Sequence, residues 1–367
     1  MKTGFHINGL NVEAFRGISG LRLEDCGSVN LVLGNNNGGK TSVLEAITAL
    51  RSGDPFNLFS IVENRHRTNS HLEDLLFLPP VGSDEFSIMA ETSDGPISVK
   101  ARFSKNTVLF DRDTFLEGAN PLLKGFYTEI IDSSKMNGKA QVPQINGVVS
   151  YNGTEESFSY IDLDYTLGRI GRKHFGANIV YSSPSGHFDI LARELSPILK
   201  NEAYTALFVE VLRVFDPDIE DVRVIASEGM MPYTDIYIKK KGQNPEPIAL
   251  YGDGVKKVTA LAIRIANAQN GILLIDEIET SLHHGNFADI FTFLVRACLQ
   301  FNIQLFITTH SAEVIDTFVD IMTSIRPEDD FGRLYTLRKE GSKMLCRKMT
   351  GMEKKRIDSN TSLEVRD

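Results

Sequence analysis

Alternating apolar and polar positions open the chain. Ile7-Asn8-Gly9-Leu10-Asn11-Val12-Glu13-Ala14-Phe15-Arg16-Gly17-Ile18 reads as a strand or hairpin, and Leu21 to Leu23 continue the alternation. The apolar run Val29 to Leu33 predicts another strand, and Ser42-Val43-Leu44-Glu45-Ala46-Ile47 starts a helix that runs to about Arg51. Gly53, Asp54, Pro55 and Asn57 then break the pattern, and Pro79-Pro80 with Gly82 punctuates again. Short alternating segments at 86–92, 96–103 and 107–110 predict antiparallel strands. From about 115 to 176 the pattern weakens around the turn signals Asn120-Pro121, Asn137-Gly138 and Asn152-Gly153, which reads as an insertion with some helix and a hairpin.

Beyond it, Ile179-Val180-Tyr181 is a short strand, helical patterns lie near 188–199 and 202–215, and strands lie near 220–227 and 233–239. A helix from Val258 to Asn267 precedes the buried strands Gly271 to Ile275 and Gln304 to Thr308. A further helix pattern starts at Ala312, and strands at 333–338 and 344–349 close the sequence. No internal repeat or low-complexity tract interrupts this order. Divided by these signals, the chain falls into 1–51, 52–178, 179–250, 251–330 and 331–367.

Composition narrows the class. A 367-residue chain with 42% hydrophobic residues can bury a large core, and no run of about eighteen apolar residues predicts a membrane span. The start, Met1-Lys2-Thr3-Gly4-Phe5-His6, lacks an apolar signal core, so a cytoplasmic protein is expected. Cys26, Cys298 and Cys346 are far apart, show no metal-ligand spacing and number an odd three, which argues for reduced, mostly buried thiols. The net charge of −9 is no match for nucleic acid over the whole chain. Arg333, Arg338, Lys339, Lys343, Arg347, Lys348, Lys354, Lys355 and Arg356 nevertheless form a basic stretch. It reads first as solvated strand faces and second as a docking surface for nucleic acid or an acidic partner.

Chemistry enters at Gly34-Asn35-Asn36-Asn37-Gly38-Gly39-Lys40-Thr41-Ser42, directly between a strand and a helix. Glycines let successive N–H groups face phosphate oxygens, Lys40 neutralises charge, and the Thr41 hydroxyl can ligate Mg²⁺. The strand Gly271-Ile272-Leu273-Leu274-Ile275 ends in Asp276-Glu277, two carboxylates that are costly in a buried strand unless a cation meets them. In P-loop enzymes Asp276 would hold Mg²⁺ and Glu277 would polarise the water attacking the γ-phosphate. Thr309-His310-Ser311 ends the next buried strand, where a neutral imidazole could donate to the γ-phosphate. Tyr251-Gly252-Asp253-Gly254-Val255-Lys256-Lys257 opens a helix, either as a second anion-binding terminus or with Asp253 as an ordinary N-cap.

In this order the four clusters resemble the ABC-type ATPases of the RecF and SMC lineage. Within it they resemble most the overcoming-lysogenization-defect (OLD) group and its AAA-like relatives in prokaryotic defence. The resemblance implies an α/β fold, an ABC-type P-loop ATPase head with a mixed sheet flanked by helices and an antiparallel β lobe, carrying an inserted α/β lobe. Gly34 to Ser42 is similar to the Walker A loop, with Asn35, Asn36, Asn37, Gly38, Gly39, Lys40, Thr41 and Ser42 at the nucleotide. Ile272 to Asp276 is similar to Walker B, Glu277 to the catalytic glutamate, and His310 to the switch histidine. Gly252, Asp253 and Gly254 resemble the signature motif in the form Gly-Asp-Gly. Glu279-Thr280-Ser281-Leu282-His283-His284 resembles the D-loop, and Asn11 to Gly17 the opening strand, which brings Arg16 among the expected nucleotide-binding residues.

By the same resemblance the cofactors are ATP and Mg²⁺, and two chains close head to head, Gly252 to Gly254 of one covering ATP held by Lys40 and Thr41 of the other. The family's Mg²⁺-sensing glutamine has no counterpart, because no Gln lies between Lys40 and Gln141. After His310 no room remains for a Toprim nuclease domain, so a nuclease or toxin would be a separate chain. Three functions follow: a slow, regulatory defence ATPase controlling that effector, a DNA-repair or DNA-clamping ATPase, and a nucleotide switch with incidental turnover.

Overall fold

Largely apolar runs belong to strands covered on both faces, and three of them, Val29–Leu33, Ile272–Ile275 and Gln304–Thr309, build the centre of this molecule. The computed structural model describes residues 4–65, 72–111, 113, 139–161, 177–182, 195, 199–226, 234–281, 287–325, 331–341 and 343–355. In chain order the strands are β1 (Ile7–Phe15), β2 (Ile18–Leu23), β3 (Val29–Leu33), β4 (Glu85–Thr92), β5 (Gly95–Asp111), β6 (Lys139–Tyr151), β7 (Thr154–Ile161) and β8 (Ile179–Ser182). They continue as β9 (Ile219–Ala226), β10 (Thr234–Lys240), β11 (Glu246–Pro247), β12 (Ile272–Ile275), β13 (Gln304–Thr309), β14 (Gly332–Glu340) and β15 (Lys343–Thr350). The helices are α1 (Lys40–Ala49), α2 (Pro55–Arg65), α3 (Glu202–Leu212), α4 (Asp253–Asn267), α5 (Ile278–Ser281), α6 (Phe287–Gln300) and α7 (Ala312–Ile325).

The central sheet runs β15-β14-β3-β13-β12-β8, parallel except for β15. Its side chains alternate between two cores, as the pleat requires. Val32, Ile272, Leu274 and Phe306 enter one, with α1 and the antiparallel sheet β2-β1-β4-β5-β6-β7. Leu31, Leu33, Leu273, Ile275, Leu305 and Ile307 enter the other, against α3, α4, α6 and α7. The two sheets are also stitched by a buried amide: Gln304 Nε2 donates to the Ile7 carbonyl at 2.7 Å, and Gln304 Oε1 accepts from the Ile7 N–H at 2.7 Å. A small sheet, β11-β10-β9, packs Val222, Ile236 and Ile238 onto the helical side.

The architecture is the expected mixed sheet flanked by helices with an antiparallel lobe. Two local expectations change. Pro55 starts α2 instead of ending order, because a fixed φ and a missing N–H suit the first helical turn. The segments 96–103 and 107–110 are one strand, β5, since β6 pairs along it from Val99↔Tyr151 to Asp111↔Lys139. Asn152 (φ 51°) and Gly153 (φ 81°) form the two-residue turn of the β6–β7 hairpin, whose mirror-image geometry suits Asn-Gly. That hairpin is the described part of the expected insertion and extends the antiparallel sheet. Residues 114–138 and 162–176, most of the helix expected at 188–199, and Leu282 to His284 lie outside the described residues. No helix among the described residues is long and apolar enough to cross a membrane.

Candidate nucleotide and metal site

The order of the parallel strands decides what meets what. β13 lies between β3 and β12, so the phosphate loop, the Asp276-Glu277 pair and His310 leave the same edge on three neighbouring strands. The loop after β3 curls tightly: Asn37 has φ 60°, Gly39 has φ 84°, and the Gly38 N–H donates to the Asn35 carbonyl at 2.9 Å. A Cβ on Gly38 would fall 2.7 Å from that oxygen, so the glycine is required by space. α1 then begins at Lys40 with Gly39 as an N-cap that makes no side-chain bond, and with no acidic residue in its first turn. A helix start without a side-chain cap leaves its N–H groups to an anion.

Lys40 is buried, and its Nζ donates to the carbonyls of Gly34 (2.7 Å) and Asn35 (3.0 Å). The Thr41 hydroxyl donates to Asp276 Oδ2 at 2.9 Å. Asn36, Asn37, Gly38, Gly39, Lys40, Thr41, Ser42, Asp276 and Glu277 line one cleft of about 380 Å³. Asp276 is 3% exposed, and two further hydroxyls reach it: Tyr181 donates to Oδ2 at 3.2 Å and Thr308 to Oδ1 at 2.5 Å. Thr308, fully buried, also accepts from the Glu277 N–H at 2.8 Å. Glu277 stands in the left-handed region, φ 46°, which costs a non-glycine residue about 1–3 kcal/mol and persists only where neighbours impose it. The Glu277 carbonyl accepts from the N–H (2.9 Å) and hydroxyl (2.8 Å) of Thr280, so both of its peptide groups are pinned.

Thr308→Val, nearly the same shape, leaves Asp276 Oδ1 and the Glu277 N–H without this partner. The expected loss is about 1–3 kcal/mol of stability, read from urea midpoints. An unchanged midpoint would show that Thr308 clamps neither group.

Not every expected residue joins the cleft. Arg16, in the β1–β2 turn with φ 51°, places Nε 2.7 Å from Glu45 Oε2, so it braces the buried face of α1 and does not line the cleft. Gly252 caps α4 without a side-chain bond, and Asp253 is the first helical residue instead of the N-cap. Gly252 and Asp253 are exposed, and none of Gly252, Asp253 and Gly254 lines the cleft of its own chain. Gly254 packs so closely on Phe215 that a Cβ would meet the ring at 2.5 Å. Sequence patterning missed Tyr181 and Thr308. Tyr181 shares a sheet row with Leu274 and Phe306, and only that register reveals its hydroxyl to Asp276.

The fit to Mg²⁺ can be tested on the donors. Thr41 Oγ1 and Asp276 Oδ2 are hard oxygens 2.9 Å apart, about the edge of an octahedron with metal–oxygen distances of 2.0–2.1 Å. The described residues hold no cluster of three or more His, Cys, Asp or Glu side chains suited to a metal. A single carboxylate with a hydroxyl suits an ion whose other ligands are phosphate and water.

A glycine-rich loop capping α1, a buried aspartate against its threonine, and an intervening strand ending in histidine define a P-loop NTPase head of the ABC type. Residues 29–316 match the family model described as "AAA domain, putative AbiEii toxin, Type IV TA system", and the chain belongs to that AAA-domain family. It is similar to an ATP/GTP phosphatase of Helicobacter pylori, 20% identical over 376 residues that cover 94% of this chain and 96% of the relative. Over 103 residues it is 32% identical to the DNA replication and repair protein RecF of Nitrosococcus oceani, covering 28% of each chain. Among solved structures it is similar to the Smc head domain with an extended coiled coil, bound to the C-terminal domain of ScpA, from Pyrococcus furiosus. That likeness has a TM-score of 0.50 at 14% identity and covers 99% of this chain and 100% of the other.

Proposed function

We propose that this protein binds ATP with Mg²⁺ and hydrolyses it slowly, that two copies close head to head around the nucleotide, and that this cycle controls a separate effector in antiphage defence. The effector would be a Toprim-type nuclease or a toxin, as in OLD-like systems. The observation that carries the reading is that one cleft holds the loop, Thr41, Asp276 and Glu277, while the start of α4, without a side-chain cap bond and exposed at Gly252 and Asp253, is not part of its lining. A second copy would bring that helix start to the phosphates. The name of the Helicobacter relative supports phosphatase chemistry on a nucleoside triphosphate, and the family description supports a link to a toxin–antitoxin system.

Within the cleft, the N–H groups at the start of α1 and the Lys40 ammonium would hold the phosphate tail. Thr41 and Asp276 would hold Mg²⁺, which when bound supplies charge neutralisation at the phosphate oxygens. Glu277 would orient and polarise the attacking water. Loss of the γ-phosphate removes the contact that favours closure, so nucleotide state sets assembly state.

Copurification tests effector control. The product of a neighbouring gene is expected to bind in a manner that ATP changes, and absence of binding with and without ATP would overturn this part. The RecF similarity and the basic residues Lys343, Arg347 and Lys348 on β15 favour a second reading, a DNA-clamping ATPase in a cytoplasmic repair role. Under it, duplex ends stimulate hydrolysis with a steep dependence on salt. A flat response removes it.

A further inference from the structure

Asp276 is also bonded from the side of β12 that faces away from the phosphate loop. There β8 pairs with β12 in parallel at the end of the sheet order, with Tyr181 beside Leu274 and Ser182 beside Ile275. The Tyr181 hydroxyl donates to Asp276 Oδ2 at 3.2 Å, and the Asp276 main-chain N–H donates to the Ser182 carbonyl at 3.0 Å. A four-residue strand at a sheet edge would hold a side chain loosely by itself, but this one is fastened from two helices. Arg264, in the last turn of α4, donates from Nη1 to the Tyr181 carbonyl at 3.0 Å, and Arg51, just after α1, donates to the Ile179 carbonyl. Asn178 Nδ2 donates to the carbonyls of Asn267 (2.9 Å) and Gln269 (3.0 Å) where α4 ends. The half-buried ring packs on the core that α1 shares.

Three hydroxyls therefore meet one carboxylate: Thr308 on Oδ1, and Thr41 and Tyr181 on Oδ2. With Mg²⁺ in the site described above, Thr41 and Asp276 would be neighbouring ligands. A ligating hydroxyl turns a lone pair to the ion and its proton away from it, so the Thr41 bond to Oδ2 lapses. Oδ2 has two lone pairs, one for the ion and one for Tyr181. The terminal torsion of an aspartate is soft, and a single bond at Oδ1 would leave the carboxylate plane free to turn. Bonds at both oxygens fix it.

We propose that Tyr181 is a positioning residue of the metal site, whose hydroxyl holds Asp276 Oδ2 toward the ion once Thr41 has turned to ligate it. This inference rests on the metal-binding reading above. If the ring did no more than fill the core, a phenylalanine would serve as well.

The test is equilibrium binding of fluorescently labelled ADP to the full chain across a titration of free Mg²⁺, with EDTA as the metal-free point. In the wild type Mg²⁺ is expected to tighten ADP binding, and Asp276→Asn is expected to remove that response. Tyr181→Phe, which keeps the ring, is expected to bind ADP like the wild type in EDTA. It is expected to need about 10- to 100-fold more free Mg²⁺ for half of the tightening, the usual effect of removing a partner that orients a metal ligand. A response at the wild-type Mg²⁺ concentration overturns the proposal. Equal weakening with and without the metal also overturns it, because damage to the fold does not single out the ion. A wild type indifferent to Mg²⁺, or an Asp276→Asn variant that still responds, brings down the metal-binding reading itself and this proposal with it.

Discussion

Glu277→Gln is expected to lower turnover by about 10²- to 10⁴-fold, the usual contribution of a positioned general base, while ATP stays bound and pairs of chains stay joined. The substitution is nearly isosteric, and the structure gives reason to expect no backbone change. Glu277 owes its left-handed conformation to its own N–H on Thr308 and its own carbonyl on Thr280, and neither bond involves the side chain. The variant thus subtracts charge and basicity at the cleft and little else. Phosphate release gives the first half of the result, and light-scattering mass with and without ATP gives the second. Wild-type turnover would remove Glu277 from the chemistry; a monomeric mass with ATP bound would remove the shared-site reading while sparing the catalytic one.

Phe306→Ala is expected to cost about 3–5 kcal/mol of stability, the range for truncating a buried aromatic whose surroundings relax little. Phe306 is fully buried on β13, between Asn30 of β3 and Leu274 of β12 in register. Its ring faces the core that joins the central sheet to α1 and the antiparallel sheet. Neighbours cannot collapse into the gap without moving the strands that carry the site, so the cavity term is expected to be near its full size. Chemical denaturation measures it. A loss below about 1 kcal/mol would mean that this core repacks freely.

Much of this was legible in the chain because it is local. The phosphate loop is nine consecutive residues between a strand and a helix, and the buried strands announce themselves as apolar runs. Elsewhere one residue carried two meanings. Pro55 breaks a helix interior but also begins a helix, and only the packing of Leu58, Phe59, Ile61 and Val62 into the core decides between them. Ser104-Lys105-Asn106, a polar break on paper, is a stretch of β5 exposed to solvent, kept in strand by pairing with β6. Thr308 and Tyr181 were illegible for a different reason: their partner, Asp276, comes from another strand, and the register that joins them is a property of the sheet.

The Lys40 ammonium spends two of its three N–H donors on the carbonyls of Gly34 and Asn35. Those bonds hold the cation at the loop while a third donor can meet a phosphate oxygen. An uncharged occupant gains nothing from that cation. Adenosine is expected to compete weakly, and selectivity among occupants would rest on the anionic tail more than on the base.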